Sequence, residues 1–472
     1  MMKTILMPVE VYAREIDSRI ILAHKLAQHG NSIVIADTWL IRLITNFFRK
    51  GVYIGKSMHL YPAPFGRYVT RFFGILKVKD TWYFDKLKKR GYATIYIEEE
   101  GGYFQPNLID LHEALKSQLD TRILKNDDFV LTWGKLQANF FKSSSDRDIN
   151  NLVINSGHIR FDSYHERYRQ VFPRPVEGEY ILVNTSSGWP NSAKGILAAF
   201  EDMPSFRKED KSGIDKRFDM WANQTCRFSS MVLLIKAIAE NFPKIKVIVR
   251  PHPVESLENY TFIFRHFDNI KVIREFSVTR WIIHSKLVIH NACTTGFESV
   301  LSGRQVISFL PTELSNHDTG LGNMGYICRT NEEVLSRINT ILNLGSHETN
   351  NIDCIDSVIP VIKNADLKTD SSEYILDVVN NKLSDNYDNN LSTKRSFLYM
   401  INKLHNMIGM SKNIFLLIIG RKWSRAKHFR QVSTGIDFTE ISFMVNQLNQ
   451  IDKSNVLVKR VSNHCYVLSN KE

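Results

Sequence analysis

The chain has 472 residues, 43% hydrophobic and 23% charged, with a formal net charge of +12. That length is too great for one ordinary core, and that composition excludes a disordered chain; two well-packed domains plus an appendage are expected. Five scattered cysteines without a CxxC pair argue against a disulfide framework or a zinc site and fit a reducing compartment.

The N-terminal MMKTILMPVEVYAREIDSR turns charged too early for a signal peptide, and no apolar run approaches membrane-spanning length. In chain order, TILMPV reads as a buried strand and residues 14–30 as an amphipathic helix with a Gly stop. Strands are predicted at NSIVIAD, ATIYIEEE (93–100), DFVLTWG (128–134) and NLVIN (151–155). This alternation predicts a parallel sheet with helices on both faces. A Pro/Gly break at VFPRPVEGEY, 171–180, precedes a second run: YILVNTSS, a helix at RFSSMVLLIKAIAENFP, then KVIVRPHP, NIKVIREF, KLVIHNA and QVISFLP, closed by a helix at 331–345. The predicted fold class is α/β: two Rossmann-like domains, 1–170 and 171–345, facing a cleft, followed by a loop-rich linker and basic helical extension over 346–472. From Lys394 to Arg430 there are nine Lys/Arg and no Asp/Glu. This segment reads either as an interfacial helix for an anionic membrane surface or as a basic helix packed on the body. No nucleic-acid motif accompanies the charge.

Three stretches could carry chemistry. In VRPHPVES, 249–256, Pro251 restrains Arg250 and Pro253 restrains His252 where a strand ends. Ligands bind at such strand ends, although a strand stop with an incidental histidine is equally consistent. In KLVIHNACTTGFESVLSG, a strand ends at His290 and a helix starts at Thr294 or Thr295. Helix-start N–H groups and the two threonines suit a phosphate. Glu298 fits either a ribose contact or a capping box with Thr295. In EEEGGYF, 98–104, mutual repulsion is expected to raise the pKa of at least one carboxylate, as a general acid or base needs; a solvated acidic turn is the alternative. GVYIGKS, 51–57, is too short for a phosphate-binding P-loop, and Asp146-Arg147-Asp148 reads as a solvated turn.

RPHP at 250–253 together with HNACTTGFESVLSG at 290–303 resembles the bacterial surface-carbohydrate biosynthesis family, which is similar to β-Kdo transferases (Kdo is 3-deoxy-manno-octulosonic acid). Glu99-Glu100-Gly101 and His252-Pro253 stand where that family has its acidic and His-Pro motifs. AREIDSR, WGKLQ, SGHIRFD and VNTSSGW also look familial, and the resemblance covers roughly residues 1–345. It implies a GT-B fold and a CMP-activated Kdo donor, transferred to a lipopolysaccharide, O-antigen or capsule glycan at the cytoplasmic face of the inner membrane. Arg250, His252, Thr294 and Thr295 would then face the donor phosphate or sugar carboxylate, Glu298 the ribose, and Asn184 and His290 the cleft. Asp219, in KRFDMWANQ, would be a covalent nucleophile, with Glu99 or Glu100 as acid/base toward the acceptor. No metal or other cofactor is expected. Other CMP- or CDP-linked donors (a nonulosonic acid or glycerol) and a non-catalytic assembly scaffold are the alternatives.

Overall fold

The computed structural model describes residues 2–58, 82–100, 118–193, 211–291, 293–312, 324–344, 361–383, 437–462 and 464–471, with a few shorter pieces between them. The first sheet holds β1 (Thr4–Val9), β2 (Ser32–Asp37), β3 (Gly51–Gly55), β4 (Tyr92–Ile97), β5 (Asp128–Thr132) and β6 (Val153–Asn155), all parallel, in the order β2-β1-β3-β4-β5-β6. The second holds β7 (Tyr180–Asn184), β8 (Lys246–Arg250), β9 (Ile270–Val272), β10 (Leu287–His290), β11 (Gln305–Phe309) and β12 (Tyr326–Cys328), in the order β9-β8-β7-β10-β11-β12. Both are doubly wound orders, so each has a switch point where the chain reverses its direction of travel across the sheet and opens a crevice at the strand carboxyl ends. The β-branched runs SIVIAD, KVIVR and LVIH are buried along almost their whole length, as strands covered on both faces must be. This is the α/β arrangement of two Rossmann-like domains that the alternation predicted, and it is of the GT-B type that the resemblance implied.

Helix α1 (Tyr12–Gln28) follows β1, α2 (Thr38–Phe47) follows β2, and α3 (Trp82–Lys89) precedes β4. Helix α4 (Lys135–Ser143) follows β5 and the short α5 (Ile159–Asp162) follows β6. The second domain adds α6 (Lys211–Asn241), α7 (Leu257–Ile263), α8 (Val278–His284), α9 (Thr294–Leu301) and α10 (Asn331–Leu344). One continuous core joins Ile5, Ile20 and Trp133 of the first domain to Trp281, Phe297 and Val306 of the second.

The carboxy-terminal region holds packed elements that the expected loop and basic helix did not include. Helix α11 (Ser371–Asp377) and α12 (Phe438–Asp452) pack on α1, and β13 (Val456–Ser462) with β14 (Cys465–Asn470) form a hairpin that pairs antiparallel with β2. The short apolar run CYVL, followed by Ser469-Asn470, was the available signal. The hairpin covers the β2 edge that would otherwise expose unpaired backbone groups. Asn364 also ties the tail to the body. Its side chain donates to His158 O at 3.1 Å and to Asp162 Oδ1 at 2.9 Å, and it accepts the His158 N–H. Gly157 sits against it with φ +81°, where any Cβ would lie 2.2 Å from Asn364 Oδ1. The basic segment 394–430 lies, except for residues 399, 400 and 403, outside the described residues.

Candidate functional site between the domains

The site starts from an unusual helix. AREIDSR of α1 carries Arg14, Glu15, Asp17 and Arg19, and the last three are buried. A charge survives burial only when it is paired. Arg19 Nη2 reaches Glu99 Oε1 at 2.6 Å, Arg14 Nη1 reaches Glu100 Oε1 at 2.8 Å, and Arg280 of α8 lies 3.6 Å from Asp17. Glu15 accepts the N–H groups of Glu10 and Val11, which caps its own helix. Helix α1 is thus the charged spine of the domain interface.

The acidic turn after β4 does not behave as three mutually repelling carboxylates. Glu98 accepts Tyr96 Oη at 2.7 Å and lies 3.2 Å from Lys56 Nζ. Burial pushes the Glu99 carboxyl up, but Arg19, His158 and Arg160 outweigh it and hold it well below the usual carboxylate range. His158 is itself buried and lowered to about 3, chiefly by burial, so at neutral pH the arginines supply the charge. Glu100 is also lowered, because Arg14 and Lys56 outweigh its partial burial. The expected upward shift is therefore overturned for Glu99 and Glu100, because each is paired with cations that outweigh burial and its acidic neighbours. Glu99 is sealed, whereas the Glu100 side chain is 65% accessible.

In the second domain, strand register sets Arg250, Asn184, His290 and Ser308 side by side across β8, β7, β10 and β11. Their surroundings separate them. The buried Arg250 guanidinium donates to Glu275 O at 2.6 Å and Phe276 O at 2.5 Å, so it anchors the loop after β9 and does not reach the cleft. His290 is a satisfied core histidine. Its Nε2 bonds Ser308 Oγ at 2.8 Å, and its Nδ1 accepts the Cys293 N–H. Because Ser308 Oγ donates onward to Met324 O, the ring is neutral with its proton on Nε2. Asn184 is buried, and its Nδ2 has no protein partner.

His252 differs. It is solvent-accessible, yet burial within the concave wall and the nearby Arg14 lower it to about 4, against the opposing pull of Glu100. Those two groups belong to the first domain. The charges beside the acidic turn therefore act on the His-Pro loop across the domain boundary, although the two are far apart in sequence. Val254 N–H reaches His252 Nδ1 at 3.4 Å, which leaves Nε2 on the open side. The loop is built around Glu255, which the sequence reading missed. This fully buried carboxylate accepts Thr185 Oγ1 at 2.5 Å, Ser187 N at 2.9 Å, His252 N at 2.7 Å and Tyr260 Oη at 3.2 Å. Burial raises its pKa. Arg274 Nη2 closes the same turn through His252 O and Glu255 O.

Helix α9 begins at Thr294 behind Cys293, with no side chain capping its first turn. Gly296 packs against the His290 ring, where a Cβ would lie 2.3 Å from Cε1. Glu298 forms no capping box. It accepts Tyr164 Oη at 2.6 Å and sits 3.8 Å from Arg160, both of the first domain. Arg160 lies between Glu99 and Glu298, so this residue bridges the domains through a buried ion network and is not presented to a ribose. Asp219 falls on the outward stripe of α6, with residues 215, 222, 226, 229 and 233, all exposed. The inward stripe carries Arg217, stacked 4.5 Å over Trp189, and Gln224, which accepts the Trp189 N–H. The structure does not bring Asp219 to His252.

Asp162, His165 and Asp370 also converge, with ligand atoms within 4.8 Å of one another. Protein donors already fill that cluster. Asp162 accepts the N–H groups of Ser371 and Ser372, and Asp370 pairs with Lys25 and Arg167.

No protein family and no curated protein matches the chain. Among solved structures, the chain is similar to the UDP-GlcNAc 2-epimerase of Methanocaldococcus jannaschii at 10% identity, over 80% of this chain and 99% of that one, with a TM-score of 0.41. It is similar to the wall teichoic acid polymerase TagF at 10% identity, over 78% and 95%, with a TM-score of 0.38. The UDP-GlcNAc 2-epimerase from Neisseria meningitidis, bound to UDP-GlcNAc, stands at 10%, 80%, 99% and 0.40. These likenesses are distant, and function has to be argued from the residues.

Proposed function

We propose that the protein is a glycosyltransferase that moves Kdo, or a related 2-keto acid sugar, from a CMP-activated donor to a hydroxyl of a cell-surface glycan. The observation that supports this reading is the electrostatic coupling of an accessible, neutral His252 in one domain to Arg14 and the accessible, ionised Glu100 in the other. Departure of the nucleotide leaves negative charge on phosphate. In this reading the uncapped start of α9 at Thr294 and Thr295, Asn184 Nδ2 and the outward Nε2–H of His252 stabilise that charge. Glu100 takes the proton of the acceptor hydroxyl, with Arg14 holding the carboxylate in place. Because Asp219 points outward, direct displacement with Glu100 as base accounts for transfer without an adduct. The donor identity comes from the motif resemblance.

The test is CMP release from CMP-Kdo, generated in situ, with and without a lipopolysaccharide-derived acceptor, alongside intact-protein mass. Acceptor-dependent release by wild type, its loss in His252→Ala, and an unchanged protein mass are expected. A Kdo-sized adduct abolished by Asp219→Asn would overturn direct displacement. Failure to bind CMP would overturn the donor class.

A further inference from the structure

The second sheet has its switch point between β7 and β10. From β7 the chain runs outward through β8 to β9, and from β10 it runs the other way through β11 to β12. The loops that leave the two central strands therefore part. The loop after β7 is tied to the β8 side: Ser187 N–H donates to Glu255 Oε1 at 2.9 Å, Ser256 N–H to Asn191 O at 2.7 Å and Ala193 N–H to Val254 O at 3.0 Å. The loop after β10 leads instead into α9, with Cys293 N–H turned back onto His290 Nδ1 at 3.3 Å. An open α/β sheet binds ligands where its loops part in this way.

Three buried side chains at this point lack a protein partner. Asn184, the last residue of β7, and Asn291, the first after β10, are each 3% exposed, and Ser187 is fully buried. Asn184 Nδ2, Asn291 Oδ1 and Ser187 Oγ make no hydrogen bond among the described residues. Strand register pairs Asn184 with His290, so Asn184 and Asn291 stand one position apart across the two strand ends. Buried polar atoms are nearly always bonded, and folding alone gives no reason to keep these three.

The charged groups in and beside these strand ends are committed to the protein. Arg250 holds the Glu275 and Phe276 carbonyls, Glu255 accepts four donors, and Glu298 accepts Tyr164. The three unpartnered groups are neutral: two amides and a hydroxyl. In either orientation an asparagine amide brings both a donor and an acceptor. An ionised phosphate oxygen only accepts, so it can serve an amide N–H and cannot serve an amide oxygen. A ligand hydroxyl both donates and accepts, so it matches Asn291 and Ser187 together. Helix α9 starts at Thr294, three residues beyond Asn291. A group read by Asn291 therefore lies beside a phosphate held at that helix start, where a nucleotide sugar carries hydroxyls on its ribose and on the transferred sugar.

We propose that Asn291 and Ser187 are specificity-determining residues that hydrogen-bond a ligand hydroxyl next to the phosphate, with Asn184 on the phosphate side. The proposal rests on the nucleotide-sugar reading of the cleft. It gives the hydroxyl the partner that Glu298, turned to Tyr164, does not supply.

The test follows the full chain as wild type, Asn291→Ala and Ser187→Ala. It measures melting without ligand, calorimetric binding of CMP, UMP, 2′-deoxy-CMP and 3′-deoxy-CMP, and KM for CMP-Kdo. Because these side chains hold no protein group, the free variants should melt close to wild type. A fall of more than about 4 °C in both would mark them as structural and overturn the proposal. Wild type should bind CMP about tenfold or more tightly than one of the deoxy analogues, and Asn291→Ala should bind the two alike. That result assigns the ribose. Unchanged CMP affinity with KM for CMP-Kdo raised about tenfold would assign the hydroxyl to the transferred sugar instead. CMP affinity and KM both within about twofold of wild type in both variants would overturn the proposal. Binding of UMP and not CMP, with the same dependence on Asn291, would overturn the CMP donor and leave the hydroxyl contact standing. Binding of neither nucleotide to wild type would overturn both.

Discussion

Glu99 and Glu100 are neighbours in sequence and opposites in structure. Glu99 is sealed among Arg19, Arg160 and His158, with its carboxylate committed to protein partners. Glu100 keeps one close partner, Arg14, and stays accessible opposite His252. The same contrast separates the two histidines at the strand ends: His290 has both ring nitrogens satisfied, and His252 has an open one. Charge saturated by the protein holds domains together; charge left partly satisfied in a cleft is available to a substrate. Burial and partner count, more than residue type, sort structural from functional positions here.

That contrast can be broken from the sealed side first. Arg160→Met leaves Glu99 short of a cation and Glu298 with none close by, and should cost about 3–5 kcal/mol in urea unfolding. A cost under about 1 kcal/mol would mean that the network does not join the domains. On the open side, Glu100→Gln should lower transfer about a hundredfold, with unfolding free energy within about 0.5 kcal/mol of wild type. If stability fell instead, Glu100 would belong with Glu99. Gly296→Ala drives a methyl into the His290 ring and should destabilise by about 1–3 kcal/mol, read from the same unfolding curves.

Acidity sharpens the comparison further. His158 and His290 titrate near 3 and 4 in the folded protein, both lowered mainly by burial, against about 6.5 when unfolded. Below about pH 6.5 the unfolded chain binds more protons than the folded one, so these histidines make stability fall as pH falls. Each should contribute about 0.5–1 kcal/mol between pH 7 and 6. Asp162, raised to about 6 by burial, runs the other way and offsets part of this. A His290→Asn variant should show a shallower loss; an unchanged slope would place its titration elsewhere. The smallest effect is expected at Asp219→Asn, which should alter neither stability beyond about 0.5 kcal/mol nor turnover. Loss of turnover there would return the nucleophile role to Asp219.

Periodicity carried much of the architecture. Buried parallel strands are short β-branched runs, and their alternation with helices already implied two doubly wound sheets. The prolines of RPHP marked a strand end, and the turn formed there, because proline restricts its neighbours locally. The carboxy-terminal hairpin was legible in principle from its short apolar runs, but its place on the β2 edge was not. Side-chain roles were the least legible. Thr295 and Glu298 have capping-box spacing, yet Glu298 turns to Tyr164 and Arg160 because a buried carboxylate gains more from a cation and a phenol than from its own helix end. Arg250 looked like a phosphate ligand and is a loop anchor. Glu255, three residues past His252, organises the whole turn with no motif to announce it. Sequence by itself determined what forms through near neighbours: strands, helices and stiff turns. Only the tertiary structure decided which charges met across the domain interface, because pairing and desolvation depend on groups that the chain brings together from hundreds of residues apart.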